Sequence, residues 1–218
     1  AAAVQLLTGV RFELLLLLIT TITLLMEVFI SYKTYSKYLK YLTFSLFSYI
    51  IAVFVIKQDW GRITLSTIMP TFTWSHDYLL TIVAILGTTI SPYLFFWQTS
   101  QEIEEEILKG KTSVKLRQGA TKDEISHMRV DVWSGMFVSN MVMFFIIAAC
   151  AATLYSHGIH TVNSAADAAL ALKPIAGEFA FILFALGILG SGLLAVPVLA
   201  GSAAYTFAET FNWKSGLY

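Results

Sequence analysis

The chain has a single cysteine, four histidines and four prolines among its 218 residues. One thiol cannot make a disulfide framework, and so few thiols and imidazoles cannot make a Cys/His zinc scaffold. Cys150 lies inside an apolar run and reads as a packing residue. Charge is scarce as well: 13% of residues are Asp, Glu, Lys or Arg, about half the share usual in soluble domains. Fourteen basic residues balance fourteen acidic ones, so no net field draws nucleic acid or acidic ligands. The GxxxxGK[ST], HExxH and CxxC patterns are missing, which takes an ATP-driven motor and the common metal-enzyme signatures out of consideration for this segment. Neither an initial Met nor a basic region precedes an apolar core, so the sequence reads as a piece of a larger bundle, without a signal or transit peptide.

Apolar residues, by contrast, make up 57% of the chain. They fall in runs that predict an all-α polytopic membrane protein with five spans. The first is FELLLLLITTITLLMEVFI, residues 12–30, with 1–9 read as the start of the same helix because Gly9 can kink a helix without ending it. The others are expected at about 38–56, 79–100, 131–154 and 178–208, with 1–218 forming one partial transporter domain. A short surface helix is expected around 60–68. DAALALKPIAGE, ahead of the last span, should form a short helix and a turn, with Pro174 and Gly177 as breakers. If the spans alternate in direction, loops 31–40 and 100–131 and the C-terminal tail share one face with ten basic residues, against four on the other. The positive-inside rule makes that first face cytoplasmic, in an integral protein of the cell inner or plasma membrane. The lipid bilayer and helices absent from this chain are the expected partners; no nucleic acid is.

The third span contains Gly87, Thr88, Thr89, Ile90, Ser91 and Pro92 at midplane depth. A backbone interruption there is costly unless protein, water or an ion satisfies the freed groups. Thr88, Thr89 and Ser91 would add hydroxyl oxygens, while Pro92 removes an amide donor and frees an upstream carbonyl. From spacing alone, two readings stand: a proline kink in a packed helix, or an ion-binding segment of the kind found in inverted-repeat transporters.

ILGTTISPYLFFWQTSQEIEEE, residues 85–106, resembles the sixth transmembrane helix of the NRAMP family of divalent-metal transporters, particularly its branch that handles magnesium and manganese. GEFAFILFALGILGSGLLAVPVLAGSAAYTFAETF, residues 177–211, resembles the family's Gly-rich eighth helix. AAAVQLLTG and the apolar run after it resemble the fourth. The resemblance implies a partial LeuT-like inverted-repeat bundle with a discontinuous helix, covering helices four to eight, and secondary transport of Mg²⁺ or Mn²⁺ by alternating access. It implies no enzyme activity and no cofactor; the divalent cation is the transported substrate.

The family pattern Met-Pro-His-Asn is replaced here by Ser91, Pro92, Tyr93 and Leu94. The family's coordinating methionine thus falls on Ser91, and the residue whose carbonyl meets the ion falls on Thr88. A thioether favours soft transition metals, whereas a hydroxyl is a hard ligand suited to Mg²⁺ or Mn²⁺. Tyr93 stands in place of a histidine, and a phenol with an ordinary pKa near 10 is a poor proton carrier at neutral pH. Gly87, Thr89 and Pro92 would form the break, with Tyr93, Gln98 and Asn140 along an ion or water path. The family's Asp-Pro-Gly-Asn ligand motif belongs to helix one, outside the region resembled.

Two other classes are compatible with the same residues: an organic-substrate or Na⁺-coupled transporter of similar fold, and a membrane enzyme or assembly subunit with a kinked helix. Among the remaining polar residues, Glu27 is expected to snorkel or pair with Lys33, and Asp131 to cap the fourth span. Glu178 and Glu209 are expected at interfaces, and Glu102 to Glu106 at a solvated helical end. His157 and His160 are expected in a loop, and Trp60, Trp74, Trp97, Trp133 and Trp213 as interfacial anchors.

Overall fold

The computed structural model describes residues 1–30, 32–89 and 92–213, with backbone alone at 32, 33, 35, 36, 89 and 92–94. Those residues contain helices and no strand. Among the described residues, four segments are long and apolar enough to cross a membrane: Phe12–Phe29, Lys37–Val55, Lys122–His157 and Ala165–Thr210. Of the span expected at 79–100, His76–Thr89 and Pro92–Leu108 are helical, and residues 90 and 91 lie outside the described residues.

The chain forms two compact units. The first combines residues 1–58 with 119–197. It contains α1 (Ala2–Thr8), α2 (Phe12–Phe29), α3 (Tyr32–Leu42), α4 (Phe47–Val55), α8 (Lys122–Ala152) and most of α9 (Ala165–Thr210). A single 3-10 turn, Thr43–Leu46, links α3 to α4. Ala169, Leu172, Ala180 and Phe184 of α9 share one buried core with Tyr49 and Val53 of α4. The Tyr49 ring stands edge-on to Phe184, with centroids 5.1 Å apart. Glycine lets the two helices approach this closely: a Cβ on Gly187 would lie 2.6 Å from the Tyr49 ring, and one on Gly190 would strike the Ser45 side chain. The hydroxyls of Tyr49 and Ser191 lie 3.3 Å apart across the same contact.

Much of the apolar surface stays outside this core. Only Leu15 of α2 is buried, while Val28 and Phe29 are 73% and 77% exposed. Water would penalise a continuous apolar surface of this kind, but lipid does not.

The second unit combines 59–118 with 198–217, of which 214–217 lie outside the described residues. It holds α5 (Trp60–Ile68), α6 (His76–Thr89), α7 (Pro92–Leu108) and the last part of α9. α5 coincides with the short helix expected at 60–68, and its start is set by Asp59, whose carboxylate accepts the Arg62 amide at 3.0 Å. Trp97 of α7 packs against α9, where a Cβ on Gly201 would overlap its ring and Tyr205 meets it edge-on at 6.0 Å.

Three helix boundaries differ from the sequence reading. The helix expected over 1–30 is two helices, because Gly9 takes φ 72° and its amide closes on the Gln5 carbonyl at 2.8 Å. That left-handed geometry ends a helix instead of bending it. Asp131 is not a cap: it lies inside α8, whose start is ten residues earlier at Thr121. There the Thr121 hydroxyl accepts the Glu124 amide at 3.2 Å, and the Glu124 carboxylate accepts the Thr121 amide at 2.8 Å. This reciprocal pair satisfies two donors that a helix start otherwise leaves open. Pro174 likewise does not break α9, whereas Gly177 does, with φ 87° and ψ 172°. That combination is almost closed to residues carrying a Cβ.

Candidate metal site

Sequence chemistry points to the stretch between α6 and α7, whose residues 90 and 91 lie outside the described residues. An α-helical carbonyl accepts from the amide four residues onward. For Thr88 that residue is Pro92, which has no amide hydrogen, so the usual acceptor bond of the Thr88 carbonyl is closed off covalently. The Thr88 hydroxyl is turned back on α6 and donates to the Ile85 carbonyl at 3.0 Å. Gly87 is exposed, and a Cβ there would meet nothing within 4 Å. Among the described residues, then, no close contact accounts for a glycine at this position.

Ser91 and the side chains of Thr89, Pro92 and Tyr93 lie outside the described residues. Gln98 is exposed on α7. Asn140 is exposed on α8 in the first unit, where its amide nitrogen donates to the Met136 carbonyl at 2.8 Å, within its own helix. Thus Gly87, Thr88 and Gln98 share the second unit, and Asn140 belongs to the first.

The described residues contain no group of three or more His, Cys, Asp or Glu side chains placed to hold a metal ion. His157 and His160 have separate partners: the Nδ1 of His157 lies 2.7 Å from the Thr153 carbonyl, and the His160 ring stands edge-on to Tyr155 at 4.9 Å. Glu178 pairs with Lys173 at 3.0 Å, and Glu106 with Lys111 at 3.1 Å. Glu27 has one carboxylate oxygen shielded from solvent and without a hydrogen-bond partner among the described residues; the Lys33 side chain is not described. The donors this junction can offer a cation are therefore hard oxygens, carbonyl and hydroxyl, in keeping with hard or borderline divalent ions.

Sequence reasoning missed the seating of Trp97 on Gly201 and of Tyr49 on Gly187. Its signal was present only as a row of glycines in 187–201, which does not say which aromatic ring fills each gap.

Comparison with known proteins bears on the whole chain. The family model described as "Natural resistance-associated macrophage protein-like" matches residues 1–218. Proteins named divalent metal cation transporter MntH are similar: that of Vibrio campbellii is 27% identical over 150 residues, 69% of this chain and 33% of its own length. That of Pectobacterium carotovorum is 27% identical over 156 residues, 71% of this chain and 35% of its own. That of Erwinia tasmaniensis is 28% identical over 122 residues. The chain thus spans about a third of the length of the first two of these relatives. With the family match running from Ala1 to Tyr218 over apolar helices fit to cross a membrane, the chain belongs to the Nramp family.

Proposed function

We propose that the whole protein carries a divalent metal cation across the membrane by alternating access, with Mg²⁺ and Mn²⁺ as its substrates. The observation that carries this reading is covalent: the amide that would occupy the Thr88 carbonyl belongs to a proline. Family membership and the naming of its relatives as divalent metal cation transporters point the same way. In this reading the Thr88 carbonyl is one ligand, and the Ser91 hydroxyl either coordinates the ion or holds one of its waters. Gly87, Thr89 and Pro92 keep the backbone out of the helical ladder. Tyr93, Gln98 and Asn140 border the ion or water path. Helices outside this chain complete the site and supply its remaining ligands, a carboxylate among them. Segments 31–40 and 100–131 face the cytoplasm, since they hold most of the basic residues; they were expected as loops, but Tyr32–Leu42 is helix α3, and α7 and α8 run into the second segment from either end.

Ser91 is the position that sets the choice of ion. A hydroxyl or a water accommodates Mg²⁺, which surrenders its hydration reluctantly, and Mn²⁺, which accepts oxygen ligands readily. A Ser91→Met variant of the whole protein places a thioether there. Its ratio of Cd²⁺ to Mg²⁺ uptake in proteoliposomes will rise by roughly tenfold, the worth of about 1.4 kcal/mol at one ligand. An unchanged ratio in a variant that still transports Mn²⁺ would remove Ser91 from the ion's path.

A further inference from the structure

α3 has the composition of a membrane-interface helix, and two of its lysines meet no opposite charge among the described residues. Lys33, Lys37 and Lys40 recur along it at i, i+4 and i+7, interleaved with Tyr32, Tyr35, Tyr38 and Tyr41. No Asp or Glu occurs between residues 28 and 58. Lys37 and Lys40 are exposed, and neither ammonium has an ion pair or hydrogen-bond partner among the described residues. Tyr38 and Tyr41 are exposed as well, 57% and 61%.

The other side of the helix is committed. Tyr38, Leu39 and Leu42 line an apolar cavity of about 170 Å³ together with side chains of α2 and α9. At about 100° per residue, Lys37 and Lys40 lie roughly opposite Leu39 and Leu42. They also open the 37–55 segment that is apolar and long enough to span a membrane. Two ammonium groups at the edge of a hydrocarbon layer are stable only where something polar receives them, and headgroup phosphates are the anions found at that level. Tyrosine rings favour the same depth.

We propose that α3 is a docking surface for anionic phospholipid headgroups, with Lys37 and Lys40 binding the headgroup phosphate and Tyr41 setting its depth. The charge balance favours an anionic lipid over a zwitterionic one, since each lysine near an anionic surface strengthens binding roughly fivefold. The proposal is independent of which ion is carried.

The test uses the purified whole protein in detergent, with its thermal unfolding midpoint followed as dioctanoyl phosphatidylglycerol, dioctanoyl phosphatidylcholine or inorganic phosphate is added. Phosphatidylglycerol will raise the midpoint, and neither of the other two will match it. A Lys37→Gln/Lys40→Gln variant will keep the lipid-free midpoint and need roughly tenfold to thirtyfold more phosphatidylglycerol for the same shift. Lys37→Arg/Lys40→Arg and a Lys109→Gln/Lys115→Gln variant in the second unit will titrate like the parent. The assignment is overturned if the Gln pair at 37 and 40 leaves the titration unchanged, if the Gln pair at 109 and 115 weakens it equally, or if phosphatidylcholine or free phosphate reproduces the effect.

Discussion

Gly187→Ala will lower the thermal unfolding midpoint of the whole protein, while Gly192→Ala on the same helix will leave it unchanged or raise it. Both substitutions gain helix propensity, worth about 1 kcal/mol per glycine replaced. At Gly192 nothing among the described residues lies within 4 Å of the added methyl, so the gain is unopposed there. At Gly187 the methyl meets the Tyr49 ring at 2.6 Å, far inside contact distance. That ring is buried and edge-on to Phe184, so it has little room to retreat. Overpacking of this kind costs about 1–3 kcal/mol, enough to outweigh the propensity gain. Gly190→Ala, opposite the Ser45 side chain, will behave like Gly187→Ala. Equal midpoints for the 187 and 192 variants would show that α4 and α9 do not meet as described.

Phe184→Ala will be the most damaging single truncation in the first unit, at about 3 kcal/mol. The side chain is 3% exposed and joins the Tyr49 ring to the rest of the core. Truncating a buried phenylalanine in a soluble protein costs about 3–5 kcal/mol. The lower end applies here because part of that figure is transfer from water, and lipid tails are as apolar as a protein interior. Tyr49→Phe will cost far less, about 0.6 kcal/mol, since it removes one long interhelical hydrogen bond to Ser191 and keeps the ring. A double-mutant cycle between Phe184→Ala and Tyr49→Ala should return a coupling of about 0.5–1.5 kcal/mol for the aromatic pair. Reversible unfolding in mixed micelles can measure all three, and a Tyr49→Phe loss as large as that of Phe184→Ala would mean that the hydroxyl contact, not the packing, holds the helices together.

What could be read from residues alone follows a physical division. The consequence of Pro92 for Thr88 is legible because it is covalent: a missing amide hydrogen is missing in every conformation. The apolar runs in 12–30 and 178–208 are legible because hydropathy is a sum over side chains and needs no partner. The end of α1 at Gly9 was not, since glycine is tolerated inside helices at modest cost and the residue type does not choose between a kink and a left-handed stop. The start of α8 was misplaced for a different reason. Hydropathy marks where a helix enters lipid, and the polar residues 122–131 look like loop by that measure. Thr121 and Glu124, three apart, carried the correct signal as a capping box. The seats of Tyr49 and Trp97 were beyond reach, since each joins residues more than a hundred positions apart.

The length of α8 bears on how motion in this protein can be observed. Its 31 residues extend roughly 46 Å at about 1.5 Å each, some 16 Å more than the roughly 30 Å of a bilayer's hydrocarbon. That surplus matches the length of the capped, polar first part, which runs into the apolar stretch as one unbroken helix. A spin label at Ser126 thus sits on the same helical shaft as the span, behind a reciprocal cap that restrains fraying at its end, and tilt of the shaft reaches it magnified by its distance from the pivot.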